Sequence, residues 1–189
     1  ADDFHGSGGE LRVEERRVNW EILDVWREAA AQCGIPKIKE FNTGDNFGNA
    51  YFQMNQRSGK RWSAARAFLD TAQKRPNLTV MTQAMVQKLA IEQTDNGATV
   101  SGVHVLHKGH SQLINARNEV LLAAGAVASP QILQLSGIGE PELLQSHSVE
   151  LKCNLPGVGN NLQDHLQIRT IYSVDNTVTL NRRAKYPWG

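Results

Sequence analysis

Residues Glu119 to Ala124 carry the strongest constraint in this sequence: Val120-Leu121-Leu122-Ala123-Ala124 is an unbroken apolar run, followed at once by Gly125-Ala126. A short continuous apolar run bounded by a turn signal reads as a strand buried on both faces. The apolar stretch from about Pro130 to Leu135 then reads as a helix, so the segment predicts a strand-turn-helix crossing of the kind that builds α/β folds. At eight residues, Val120 to Val127 is also the longest apolar stretch, far short of the roughly 20 needed to span a membrane.

Upstream of this crossing the texture is β-branched and alternating. Leu78 to Thr82, Val86 to Gln93, Val100 to Leu106 and Gln112 to Ala116 are predicted strands. Asp95-Asn96-Gly97 between the second and third is a hairpin signal, because Asn and Gly tolerate positive φ. A small antiparallel meander follows. Nearer the N-terminus, Ile22, Leu23, Trp26, Ala29, Ala30 and Cys33 recur at helical spacing, with Asn19 as the expected N-cap and Gly34-Ile35-Pro36 as the stop. Lys37 to Gly59 reads as a long irregular loop, and a second helix runs from Ser63 to a point before Pro76. Beyond the crossing come a short helix from Glu142 to His147, a Pro/Gly/Asn loop from Asn154 to Asn161, and a strand from about Gln167 to Val174.

Charge and cysteine content narrow the function classes. Lys plus Arg is 20 against 19 Asp plus Glu, with no basic stripe to grip a phosphate backbone, so no nucleic-acid partner is expected. Two cysteines, Cys33 and Cys153, are too few for a disulfide framework and read as free thiols. The first residues lack the regions of a signal peptide, so the expected location is cytoplasmic. His104, His107 and His110 lie three apart, but on a strand that spacing alternates faces and no Cys or acidic ligand is near, so no metal site is expected. Ser136 in Leu-Ser-Gly-Ile-Gly lacks the flanking glycines of a nucleophile elbow. Asn77-Leu78-Thr79 matches a glycosylation sequon, a triplet common by chance. Gly157-Val158-Gly159 begins like a dinucleotide fingerprint, but Leu162 ends it and no strand leads into it; on spacing it reads as a tight loop, and Gly137 as a helix stop.

Taken together, Gly125 to Gly139 (GAVASPQILQLSGIG) resembles the second sequence signature of the glucose-methanol-choline oxidoreductases. The segments Phe4 to Gly9, Gly59 to Ala65, Asn77 to Val80 and Leu155 to His165 also resemble that family, in its order, with a choline dehydrogenase-like flavour. Ser148 departs from it, standing where the family usually has glycine after a helix ending in histidine.

The resemblance implies an α/β (mixed α+β) chain: part of a Rossmann-like FAD-binding domain with an antiparallel meander, plus part of a substrate-binding domain. Its expected divisions are a linking, substrate-side segment with two helices (1–76), the central part of the FAD-binding domain (77–160), and the start of a substrate-domain sheet (161–189). It implies FAD as the cofactor and a small-molecule alcohol as the substrate of the parent enzyme, oxidised at CH-OH by hydride transfer to flavin. Val86 is the expected backbone contact to adenine, and Ala124, Gly125 and Ala126 the turn beside the flavin nucleotide. No catalytic residue is assigned, because no histidine follows His165, and Asp164 and His165 are expected to position a loop rather than act on substrate. The expected object is thus a middle fragment, inactive alone, holding FAD weakly if at all, and prone to self-association. The alternative is a non-catalytic truncated binding or interaction module of the same fold.

Overall fold

The computed structural model describes residues 3–95 and 97–183. It divides into two compact units, Ala1–Val80 with Thr170–Gly189, and Met81–Arg169.

In the first unit, α1 spans Glu21–Gln32. Its N-cap is Trp20 rather than the expected Asn19, and no side chain caps it. Its C-terminal end is a Schellman turn: Gly34 N–H bonds Ala31 O at 3.0 Å and Ile35 N–H bonds Ala30 O at 3.0 Å. The irregular loop that follows is pinned by Asn49, which is only 4% exposed. Its Nδ2 donates to Ile35 O at 2.8 Å, while its Oδ1 accepts from Arg27 Nε at 3.1 Å. One buried amide thus serves helix and loop together, replacing the backbone ladder that an irregular segment lacks. Strands β1 (Gln56–Arg57) and β2 (Lys60–Arg61) form a short hairpin around Ser58 and Gly59. Helix α2 opens as a π-type stretch, Ala65–Leu69, and continues as the α turn Asp70–Ala72.

The second unit is built on the meander. Strands β3 (Ala84–Thr94), β4 (Gly97–His107) and β5 (His110–Asn115) pair antiparallel in that order. The expected turn residue Asn96 lies outside the described residues. Next come α3 (Gly125–Leu135), β6 (Ile138–Gly139), α4 (Pro141–Ser146) and β7 (Cys153–Asn154), with β6 and β7 pairing parallel. Leu89, Val105, Ile132 and Leu144 are its buried apolar residues. Helix α3 starts five residues earlier than the apolar pattern indicates, so Pro130 falls inside it and leaves the Ala126 carbonyl without its i+4 donor. In the first unit, a final short helix, α5, spans Leu180–Arg183.

Three expected strands do not form. Leu78 to Thr82 and Gln167 to Val174 are unpaired, and Ile168 and Ile171 are 78% and 94% exposed. Glu119 to Ala124 is neither paired nor buried, with Leu121 81% exposed. The physical reason is common to all three: a strand exists only through hydrogen bonds to a neighbour, and the described residues supply none here. No helix among the described residues is long and apolar enough to cross a membrane.

Candidate functional site

The turn Ala124-Gly125-Ala126 opens α3. Gly125 has φ +87°, and nothing lies within 4 Å of the place a Cβ would occupy. The turn is therefore a bare stretch of backbone, which a ligand can approach without meeting a side chain. Ser129 closes it: its Oγ accepts from Ala124 N–H at 3.1 Å. The first turn of α3 carries no acidic residue, so nothing cancels the positive end of its dipole.

At the other end of α3, Ser136 is buried and its hydroxyl both accepts and donates. It accepts from Leu89 N–H at 2.8 Å and donates to Ile132 O at 2.5 Å, which makes it a fastener between helix and sheet. Gly137 follows, with φ +87°, and its carbonyl accepts from Lys152 and Cys153 N–H at 2.8 and 3.1 Å. A Cβ at Gly137 would sit 2.3 Å from Glu150 O, so only glycine fits.

The loop Leu155 to Gln163 forms the facing wall. Gln134 Nε2 donates to Val158 O at 3.1 Å and lies where a Cβ on Gly159 would come within 2.6 Å. Asn160 Nδ2 donates to Pro156 O at 2.7 Å, which holds the loop closed on itself. Between this loop and α3 runs an open groove of about 610 Å³, lined by Ala126, Val127, Pro130 and Gln131 on one side and by Asn160 to Gln163 on the other.

The expected site residues lie on two elements of this unit, β3 and the start of α3. Ala124, Gly125 and Ala126 form one feature, with Ala126 in the groove. Val86 is on β3, opposite Val105, and is 37% exposed. Since the C-terminal end of α3 is the end fastened to β3, the Gly125 turn stands about 16 Å from that junction, one helix length. The register shifts between Val86 and Lys88, so Gln87 is bulged beside Val86. His165 N–H donates to the Asp164 carboxylate at 2.8 Å and both residues are exposed. Among the described residues no group of three His, Cys, Asp or Glu could hold a metal; His107 and His110 face each other across the β4–β5 turn. The clasps at Ser129, Ser136 and Gln134 were missed as functional positions. Gln134 had a signal, a lone polar residue inside Ile-Leu-Gln-Leu.

Comparison with known proteins gives this geometry its relatives. The chain is 41% identical over 182 residues to an oxygen-dependent choline dehydrogenase of Stenotrophomonas maltophilia, covering 95% of this chain and 32% of that enzyme. It is 36% identical over 185 residues to the mitochondrial choline dehydrogenase of Homo sapiens, covering 98% and 30%. Among solved structures, an FAD-dependent oxidoreductase from Chaetomium thermophilum superposes with a TM-score of 0.77 at 29% identity, over 84% of this chain and 27% of that one. The chain thus spans about a third of the length of the curated relatives it matches. The GMC oxidoreductase family model matches residues 3–167, and the chain belongs to that family.

Proposed function

We propose that these residues are the central part of an FAD-dependent oxidoreductase that oxidises the CH-OH group of an alcohol, choline being the substrate named for its relatives. In this reading the unit Met81–Arg169 belongs to the cofactor side and the unit Ala1–Val80 with Thr170–Gly189 to the substrate side. These limits differ from the division expected from the sequence, 1–76, 77–160 and 161–189, at residues 77–80 and 161–169. Two free thiols, Cys33 and Cys153, support a cytoplasmic setting.

One observation carries the cofactor assignment: the open backbone at Gly125, positive in φ and clear of atoms where a side chain would stand, at the start of a helix with no acid in its first turn. A flavin nucleotide needs such a surface, because its bulk and negative charge call for close backbone approach and uncompensated amides. Ala124, Gly125 and Ala126 would hold the nucleotide there. Val86 would meet adenine through its backbone, and the bulge at Gln87 frees main-chain groups for that contact. When bound, FAD supplies the hydride acceptor. This chain's residues bind and orient it: Ser129 fixes the turn through Ala124 N–H, and Gln134 keeps the Val158 loop against α3. Asp164 and His165 position their loop and take no part in proton transfer.

The test is a visible absorption spectrum after incubation with FAD and gel filtration, with a dye-reduction assay on choline and simple alcohols. The product of the full open reading frame should be yellow and reduce dye. The 189-residue chain alone should retain little FAD and reduce none. Stoichiometric flavin and alcohol-dependent dye reduction by the 189-residue chain would overturn the assignment of the chemistry to residues beyond it.

A further inference from the structure

We infer that the outer edge of β5 is an interface with a second copy of this chain: the two β5 strands pair antiparallel across a two-fold axis at Leu113 and join the two meanders into one continuous sheet. Ala116 N–H bonds Ser101 O at 2.8 Å, one step beyond the pair Gly102 and Asn115, and this fixes the alternation along β5. His110, Gln112 and Ile114 direct their main-chain groups to β4, while Ser111, Leu113 and Asn115 direct N–H and C=O away from it. Every residue of β5 is exposed, and among the described residues no backbone hydrogen bond reaches this outer edge. The opposite edge of the sheet differs. On β3, Leu89 N–H is taken by Ser136 Oγ at 2.8 Å, two register shifts interrupt the strand, and Lys88 and Glu92 carry charge. Bulges, charges and prolines keep sheet edges from pairing, and His110 to Asn115 has no register shift, no Lys, Asp or Glu, and no Pro.

The occupant follows from the strand being complementary to itself. With the axis at Leu113, Ser111 meets Asn115 of the second copy, Leu113 meets its own counterpart, and Gln112 meets Ile114 of the second copy. Every outward N–H and C=O then finds a partner, because Ser111, Leu113 and Asn115 are the outward residues of both strands. A register shifted by two residues leaves Ser111 or Asn115 unpaired, and a shift by one sets opposite faces against each other. The side chains agree with this pairing. Leu113, 50% exposed, is covered by its counterpart. Ser111 Oγ donates to Gln87 Oε1 at 3.2 Å, so its lone pairs are left to accept the Asn115 amide of the second copy. At a two-fold axis a side chain faces its own kind, so a charge there would repel itself, and Ser111 to Asn115 carries none. An unrelated extended peptide would impose no such condition on this strand.

Sedimentation velocity over a concentration series and oxidative cross-linking test the interface on the full open-reading-frame product. The parent should dimerise, and Leu113→Lys, which sets two ammonium groups face to face, should raise the dissociation constant about tenfold or more. Leu113→Cys should form an interchain disulfide under mild oxidation, since opposed Cα atoms in a hydrogen-bonded pair lie about 5.5 Å apart, and it serves as the test if Leu113→Lys does not fold. Ser111→Cys should form none, because its counterpart lies four residues along the second strand, roughly 14 Å away. The parent, with its native cysteines, is the reference for both. A monomer at every concentration overturns the inference, as does a dimer that Leu113→Lys leaves intact and Leu113→Cys does not link. A link through Ser111→Cys without one through Leu113→Cys overturns it as well. Ser111, Leu113 and Asn115 amides protected from hydrogen exchange in a monomer would overturn it in favour of an edge covered by polypeptide beyond these 189 residues.

Discussion

The hydroxyl of Ser136 accepts the backbone N–H of Leu89 at 2.8 Å, across a sequence separation of 47 residues. Both residues are buried, and Leu89 lies between the two register shifts of β3, at Val86/Lys88 and Ala90/Ile91. The bulges therefore sit on either side of the hydrogen bond that fastens the meander to the end of α3. Ser136 also donates to Ile132 O, so its hydroxyl proton is committed to the helix backbone. Ser136→Ala should destabilise the Met81–Arg169 unit by about 1–3 kcal/mol, the cost of a buried amide left without its acceptor. Urea unfolding of the variant measures it. A loss below a few tenths of a kcal/mol would mean that water replaces the hydroxyl.

Ser148 follows His147, the C-cap of α4, with φ +56°, and it completes a Schellman turn: its N–H bonds Gln145 O at 3.0 Å and Val149 N–H bonds Leu144 O at 2.9 Å. The departure from glycine therefore leaves the turn geometry intact and places an L side chain in the left-handed region. Ser148→Gly should stabilise the unit by about 0.5–1 kcal/mol, less than the full left-handed penalty because glycine also gains freedom when unfolded. A rise in the urea midpoint with unchanged slope is the expected readout.

Tyr51 supplies a pH dependence in the first unit. Its hydroxyl donates to Asp24 Oδ1, with the Arg16 and Arg27 guanidiniums over its ring at 3.0 and 4.8 Å from the centroid. Burial, and then the Asp24 hydrogen bond and charge, raise the phenol above its ordinary value of 10.0, outweighing the two arginines. A raised folded value means the folded state holds this proton more tightly. The stability it contributes is complete below the ordinary value and is lost as pH rises through the raised one. Ultraviolet titration should show one tyrosine ionising late, and Tyr51→Phe should remove that step.

How much was legible in the sequence divides along the range of the interactions. Helix ends set by local chemistry were readable, as at Gly34 and in the short helix before Ser148, because a turn is closed by residues within a few positions of one another. The N-cap was misjudged because Trp20 takes the position with extended backbone and no side-chain bond, so Asn19 had no task. Val86 to Gln93, Val100 to Leu106 and Gln112 to Ala116 were readable as strands because each pairs with its neighbour in sequence. Leu78 to Thr82, Glu119 to Ala124 and Gln167 to Val174 share their β-branched or apolar texture, but texture gives the preference of a strand and not its partner. At the site, Gly125 was visible as a turn. Ser129, Ser136 and Gln134 act through backbone atoms 5, 47 and 24 residues away, a relation that no local pattern carries.

Gly125 and Gly137 bracket α3 and share φ +87°, yet they differ in what a side chain would meet. At Gly137 a Cβ would lie 2.3 Å from Glu150 O, a backbone atom that cannot swing aside without breaking the Lys152 and Cys153 bonds to Gly137 O. At Gly125 the same Cβ would stand in open space. Gly137→Ala should therefore cost roughly 3–5 kcal/mol, combining backbone strain with a clash in the core. Gly125→Ala should cost only about 1–2 kcal/mol, the left-handed penalty alone. Function should rank them the other way once stability is matched. In the full open-reading-frame product, Gly125→Ala should lower the flavin retained through gel filtration while most of the protein stays folded, because the added methyl occupies the surface offered to the nucleotide. Flavin content equal to the parent's in a folded Gly125→Ala protein would remove that turn from the cofactor site. A Gly137→Ala loss no larger than that of Gly125→Ala would instead show that the Glu150 backbone yields.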